Sequence, residues 1–193
     1  MHADNSFLSR LASDTHGTSV TEFVVIAPLF LALFIGILEI GLQFYWAEAA
    51  EKAAQLGVRT AVVVTPAVAL PDTNNHSASG LWGQACASAS DPCSGFATAT
   101  CTGAACGGGF SVILDRMQRV FPAIQASNIT LRYEYVNMGF AGGPTVPSVT
   151  LTLTGLNWPA GPFAAVLGLL GGTANAATLP TIRATLTGED LAT

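Results

Sequence analysis

The sequence predicts an α+β protein: a long N-terminal helix leading into a domain with a small antiparallel β-sheet and a loop held by disulfides. Three observations carry that expectation. Val24 to Leu38 is apolar without a single charge, all four cysteines fall between Pro71 and Gly109, and the last third of the chain holds three segments in which apolar and polar residues alternate.

The helix follows from length and composition. Phe23 to Trp46 is 24 residues, about 36 Å at 1.5 Å per residue, enough to cross a hydrocarbon core of about 30 Å. Glu39 and Gln43 are the strongly polar side chains inside it, so the uniformly apolar part is Phe23 to Leu38, 16 residues. Ser19-Val20-Thr21-Glu22 fits a capping box, in which hydroxyl and carboxylate satisfy the first free backbone N–H groups. Spacing alone leaves Glu22 open between that cap and a functional role. Pro28 removes a hydrogen bond and crowds the carbonyl of Val24, which predicts a bend. Beyond the apolar run, Ala47 to Ala61 is rich in good helix formers until Val62-Val63-Val64 and Pro66 end the pattern. The expectation is one rod from Ser19 to about Ala61, on the order of 60 Å long.

Half of the residues are hydrophobic and 10% are charged, with a mean hydropathy of +0.49. One membrane span plus one small domain accounts for those values in 193 residues. A net charge of −5, with seven basic residues scattered along the chain, argues against a nucleic-acid partner, because phosphate binding needs clustered Lys and Arg. Arg10 precedes the span while Lys52 and Arg59 follow it, so basic residues do not set its orientation.

Cys86, Cys93, Cys101 and Cys106 lie in a stretch made mostly of Ala, Gly, Ser and Thr. Such a stretch buries too little apolar surface to offset its ordering entropy, and cross-links are the natural way to hold it. The spacings do not match the paired C-x-x-C of a zinc ribbon, so two disulfides are expected rather than a metal site, in a compartment outside the cytoplasm. Four cysteines allow three pairings, and the sequence does not choose among them.

Phe110, Ile113, Leu114, Met117 and Phe121 recur at three- and four-residue steps and predict a short amphipathic helix with a core-packing stripe. Ile129 to Tyr135, Val149 to Thr154 and Thr181 to Leu186 alternate as half-buried strands do. Gly142-Gly143-Pro144 suits the link of an antiparallel hairpin between the first two. Each strand offers one apolar face, for which the soluble half of the long helix is the expected partner. Pro162 to Leu170 is apolar but too short to span, and is expected to be a buried turn of helix beginning near Pro162.

Catalytic sets are missing from the sequence: no G-x-S-x-G elbow, P-loop, dinucleotide fingerprint or H-E-x-x-H pair occurs. His2 and His16 precede Gly17, and His76 stands in a polar loop. Asp115 lies beside Arg116 and Arg119, as a solvated helix charge does, and makes a poor acid pair with Glu134. No cofactor, no metal and no enzymatic activity is expected.

Gly17-Thr18-Ser19-Val20-Thr21-Glu22-Phe23, then Pro28, then Gly36-Ile37-Leu38-Glu39-Ile40-Gly41 resemble the opening of the TadE-like pseudopilins of the tight adherence (Tad, Flp-type) pilus system. The prepilin motif of that family is a glycine, four variable residues, Glu and an aromatic. Ala184-Thr185-Leu186-Thr187-Gly188-Glu189 is similar to the strand and acid that often end such proteins, whereas the leader, with Asp4, Asp14 and Arg10, departs from the usual basic cluster. The resemblance implies a minor pseudopilin with a cytoplasmic leader at 1–17, a transmembrane helix at 18–46 and a periplasmic pilin-like domain at 47–193. It further implies cleavage between Gly17 and Thr18 by a prepilin peptidase, with Glu22 and Phe23 completing the processing motif. The implied partners are other pseudopilins and pilin of the system, the peptidase and the inner-membrane assembly platform. Glu22 would then neutralise the new amino terminus of a neighbouring subunit. Glu39 would either touch partner helices or reach the outer headgroups beside Gln43. Two other readings remain: a secreted disulfide-bonded binding domain released after Ala47-Glu48-Ala49, and a membrane-tethered enzyme.

Overall fold

The computed structural model describes residues 16–70, 81–90, 92–93, 97–143, 146–158, 161–169, 171–172, 178–188 and 191, with the side chains of 16–19, 166, 167 and 169 outside that description. The elements are α1 (His16–Ala61), β1 (Ala99–Thr102), α2 (Phe110–Val120), β2 (Ile129–Met138), β3 (Val146–Leu153), α3 (Pro162–Leu169) and β4 (Ile182–Thr187). They form two compact units. One takes the described residues of Met1–Gln43 and Ala160–Asn175, the other those of Phe44–Pro159 and Ala176–Thr193.

In the first unit α1 carries Pro28 in its interior and turns large apolar side chains outward on every side: Phe23, Val25, Leu29 and Leu33 are all at least 60% exposed. By length and composition this helix can cross a membrane. Ser19, expected as a cap, stands inside α1 rather than at its start. The segment expected to be a buried turn is a helix as predicted, but none of its described side chains is buried. Pro162, Ala165 and Gly168 of α3 are exposed, and Phe163 and Ala164 are half-buried. Its apolar composition says that it avoids water, not that protein covers it.

In the second unit the four strands form one antiparallel sheet in the order β1-β2-β3-β4. Leu131, Leu151 and Ala184 sit opposite one another in neighbouring strands, as do Tyr133, Val149 and Leu186. Period-two alternation sends Leu131, Tyr133, Val149, Leu151 and Leu153 to one buried face. The opposite face carries cross-strand threonine pairs, Thr102 with Thr130 and Thr150 with Thr185, each at 3.0 Å. β2 is bulged between Tyr135 and Met138, where Asn137 takes a φ of 54°, a left-handed conformation that asparagine tolerates.

The expected partner of the buried face is present. Ala50, Ala53, Ala54, Val58 and Ala61 of α1 are buried at three- and four-residue steps, a stripe of small side chains that lets helix and sheet approach closely. A Cβ on Gly57 would stand 2.5 Å from Met117 Sδ and 2.8 Å from Leu151 Cδ1, so α1, α2 and β3 meet at that glycine. α2 contributes Phe110, Ile113 and Met117 to the same core. At its C-terminal end Phe121 meets Trp46 edge-on, with ring centroids 5.1 Å apart.

β1 lies within the cysteine stretch and was not anticipated there. The Cys101–Cys106 bridge closes the 3-10 turn Gly103–Ala105 that follows it. The Cys86–Cys93 bridge sits with Ala141 in a small separate cluster against Tyr135, where Cys86 N–H donates to Gly139 O at 3.0 Å. Pro144 of the expected hairpin link and the whole of residues 71–80, His76 included, lie outside the described residues.

Candidate processing and assembly site

Gly17 and Thr18 fall in the first turn of α1, and Glu22 follows one turn later. Glu22 and Phe23 are both exposed, Phe23 at 70%. Among the described residues the Glu22 carboxylate meets no cation, although the apolar stretch after it makes a charge there expensive without one. Glu22 is an exposed carboxylate near the head of a helix whose next 16 residues, Phe23 to Leu38, carry no charge.

Glu39 is placed differently. Its Oε2 accepts a hydrogen bond from the Phe163 N–H at 3.1 Å, and a Cβ on Gly161 would stand 2.5 Å from its Oε1. Helix α3 is thus tied to the carboxylate through backbone alone, across 124 residues of sequence. Reading along the sequence missed Gly161 and Phe163 as its partners. The stretch between Glu134 and Arg183 carries no charge, and nothing in it signals Glu39 as a partner.

The other candidate acids are engaged in ordinary surface pairs. Asp115 accepts from Arg119 at 2.9 Å, one helical turn away, and Glu134 from Arg132 at 2.9 Å. Among the described residues no group of His, Cys, Asp or Glu could hold a metal ion. A cleft of about 200 Å³ near Trp46, Gln125, Asn128 and Asn157 is smaller than most small-molecule sites. The Asn128 amide within it already donates to Thr154 O and Gly155 O and accepts from Gln125 N–H.

Among the described residues, one helix long and apolar enough to cross a membrane, followed by an α+β domain with two disulfides, fits a single-span membrane protein. Residues 17–59 match the model of the family described as TadE-like protein, and this similarity supports an association with pili of the Tad system. The match covers most of α1 and leaves the sheet and both disulfides outside it. Comparison with curated proteins and with solved structures gave no match.

Proposed function

We propose that this chain is a minor pseudopilin that helps assemble or prime a Tad/Flp-type pilus, cut between Gly17 and Thr18 and held by residues 18–46 in the inner membrane. Residues 47–193 form its periplasmic domain, and the two disulfides support that orientation because such bonds persist in oxidising compartments. The observation that carries the reading is Glu22: an exposed carboxylate five residues after the glycine, inside the TadE-like segment, with an uncharged apolar helix behind it.

Cleavage creates an ammonium on Thr18 that is charged near neutral pH. In or near lipid, ammonium and carboxylate each lower the cost of the other, so Glu22 of one subunit binds the terminus of the next. Glu39 is a second contact to partner helices; a carboxylate has acceptor sites beyond the one that Phe163 fills. Pilin, other pseudopilins, the peptidase and the assembly platform are the partners, and the role is structural rather than enzymatic.

Of the other two readings, cleavage after Ala49 fits less well. α1 runs unbroken through that point, and Ala50 is fully buried in the core of the second unit. N-terminal sequencing of the mature chain should give Thr18; a terminus at Ala50 would sink the pseudopilin reading.

The decisive experiment is Glu22→Gln. If Glu22 made no contact between subunits, an amide at this exposed helix position would be tolerated and the loss would stay within ~0.5 kcal/mol. If it pairs with an ammonium, the change leaves a charge unpartnered at a cost of about 3–5 kcal/mol. The mutant should be cut and inserted as usual, yet fail to cross-link to partner pseudopilins and fail to support piliation. Normal piliation at normal protein level would leave Glu22 an ordinary exposed helix carboxylate and overturn the pairing.

A further inference from the structure

We infer that α3 is a second membrane contact of this chain: it lies among the lipid acyl chains of the leaflet on the domain side, beside the span, at the depth of Glu39. The inference rests on the span itself being in lipid, and four observations support it.

The first is composition. No Asp, Glu, Lys or Arg occurs between Glu134 and Arg183, and α3 with Leu170 reads Pro-Phe-Ala-Ala-Val-Leu-Gly-Leu-Leu. Eight helical residues measure about 12 Å, too short to cross a bilayer but the size of an interfacial or re-entrant element. The second is placement. α3 belongs to the compact unit of the apolar helix, not to the unit that holds the sheet, and Pro162, Ala165 and Gly168 stay exposed in it.

The third is depth. Glu39 lies seven residues before Trp46, about 10 Å along the helix, so the start of α3 is held inside the span's apolar length by the bond from Phe163 N–H to Glu39. The fourth is the state of the helix's first amides. In water the free N–H groups of a helix start need no protein partner, whereas in hydrocarbon each unsatisfied one costs several kcal/mol. Here Pro162 has no N–H, the Phe163 N–H donates to Glu39, and the Ala164 N–H donates to Gly161 O at 3.0 Å. The first three positions of α3 are finished for a medium without water. The same bond accounts for an acid in the second half of the span, since a carboxylate at that depth needs a donor.

The occupant is lipid rather than a protein partner because α3 shares one compact unit with the apolar part of α1 and lies in a stretch without a charged side chain to direct a protein partner. The test uses the full chain in phosphatidylcholine–phosphatidylglycerol vesicles. All four native cysteines are paired, so one added cysteine takes an environment-sensitive fluorophore selectively. Labels at Ala165→Cys on α3, Leu33→Cys on the span and Ser111→Cys on α2 are each challenged with acyl-brominated lipid and with aqueous iodide. The expected result is loss of emission to brominated lipid at 165 and 33 and to iodide at 111. Iodide quenching at 165 with lipid quenching at 33 overturns the inference and leaves the span intact. Protection of 165 from both quenchers means that protein covers α3, which also overturns it. Lipid quenching at 111 as strong as at 165 overturns it too, since the signal would not belong to α3. Iodide quenching at both 165 and 33 removes the membrane reading itself.

Discussion

The two halves of α1 differ in side-chain size: from Phe23 to Phe44 the large exposed apolar residues are chiefly Phe, Leu, Ile and Val, whereas from Ala50 to Ala61 the buried ones are four alanines, one valine, Gly57 and Thr60. A protein surface of fixed shape admits only small groups if backbone is to approach backbone; liquid acyl chains conform to any shape and reward apolar area instead. Side-chain volume, more than hydrophobicity, marks where the helix leaves one medium for the other.

The largest effect should come from making the same deletion in both regions. Leu151→Ala empties space at a fully buried site between α1 and α2 and should cost about 2–5 kcal/mol. Leu33→Ala, at a 60% exposed site, should leave the domain's unfolding midpoint unchanged. Chemical denaturation of the full chain in detergent, followed by tryptophan emission, measures both; a comparable loss at Leu33 would mean that the outward half packs against protein.

Volume can be tested in the opposite direction at Gly57. Gly57→Leu drives new atoms into Met117 and Leu151 and should destabilise the domain by about 1–3 kcal/mol, the usual cost of overpacking. Gly57→Ala sets a gain of up to ~1 kcal/mol in helix propensity against one methyl pressed on flexible side chains, so its net effect should be far smaller. If both variants unfold alike, the close approach at Gly57 is not what limits side-chain size there.

Much of this architecture was legible because it is local. The stripe Phe110, Ile113, Met117 and the alternation in β2, β3 and β4 declare their elements, and the structure has them within three residues of the expected bounds. What was not legible depends on distant partners. β1 is four residues of Ala-Thr-Cys-Thr, too short and too polar to announce a strand; it is one because Cys101 stands opposite Leu131 and Ala99 opposite Tyr133. Disulfide pairing follows from which loops come together, and spacing does not encode that. The Glu39 to Phe163 bond links residues with no shared periodicity, and the apolar α3 could equally have marked a core. At the head of α1 the motif from Gly17 to Phe23 was readable as a pattern, because it is a matter of residue types at fixed spacing.

The smallest effect sharpens the comparison from inside the core, at a polar group buried against the exit of α1. The Tyr133 side chain is fully buried, and its hydroxyl oxygen accepts the Ala67 N–H at 3.1 Å, just after Pro66 ends the helical pattern. Burial pushes the phenol above its ordinary value of 10.0, with the hydrogen bond from Ala67 acting weakly the other way. Tyr133→Phe keeps the ring and leaves that N–H without its acceptor, a loss of about 1 kcal/mol after the hydroxyl's own desolvation is recovered. The sign with pH follows from the raised folded value. Below pH ~10 both states hold the proton and the difference between the two proteins is constant. Above it the unfolded chain ionises while the folded one does not, so stability of the native protein falls as pH rises toward the folded value. The phenylalanine variant lacks that fall, so the two stabilities should converge from pH ~10 upward. A gap that stays constant through that range would mean that Tyr133 ionises as freely in the folded protein as in the unfolded one, and that water reaches the junction where α1 gives way to the loop.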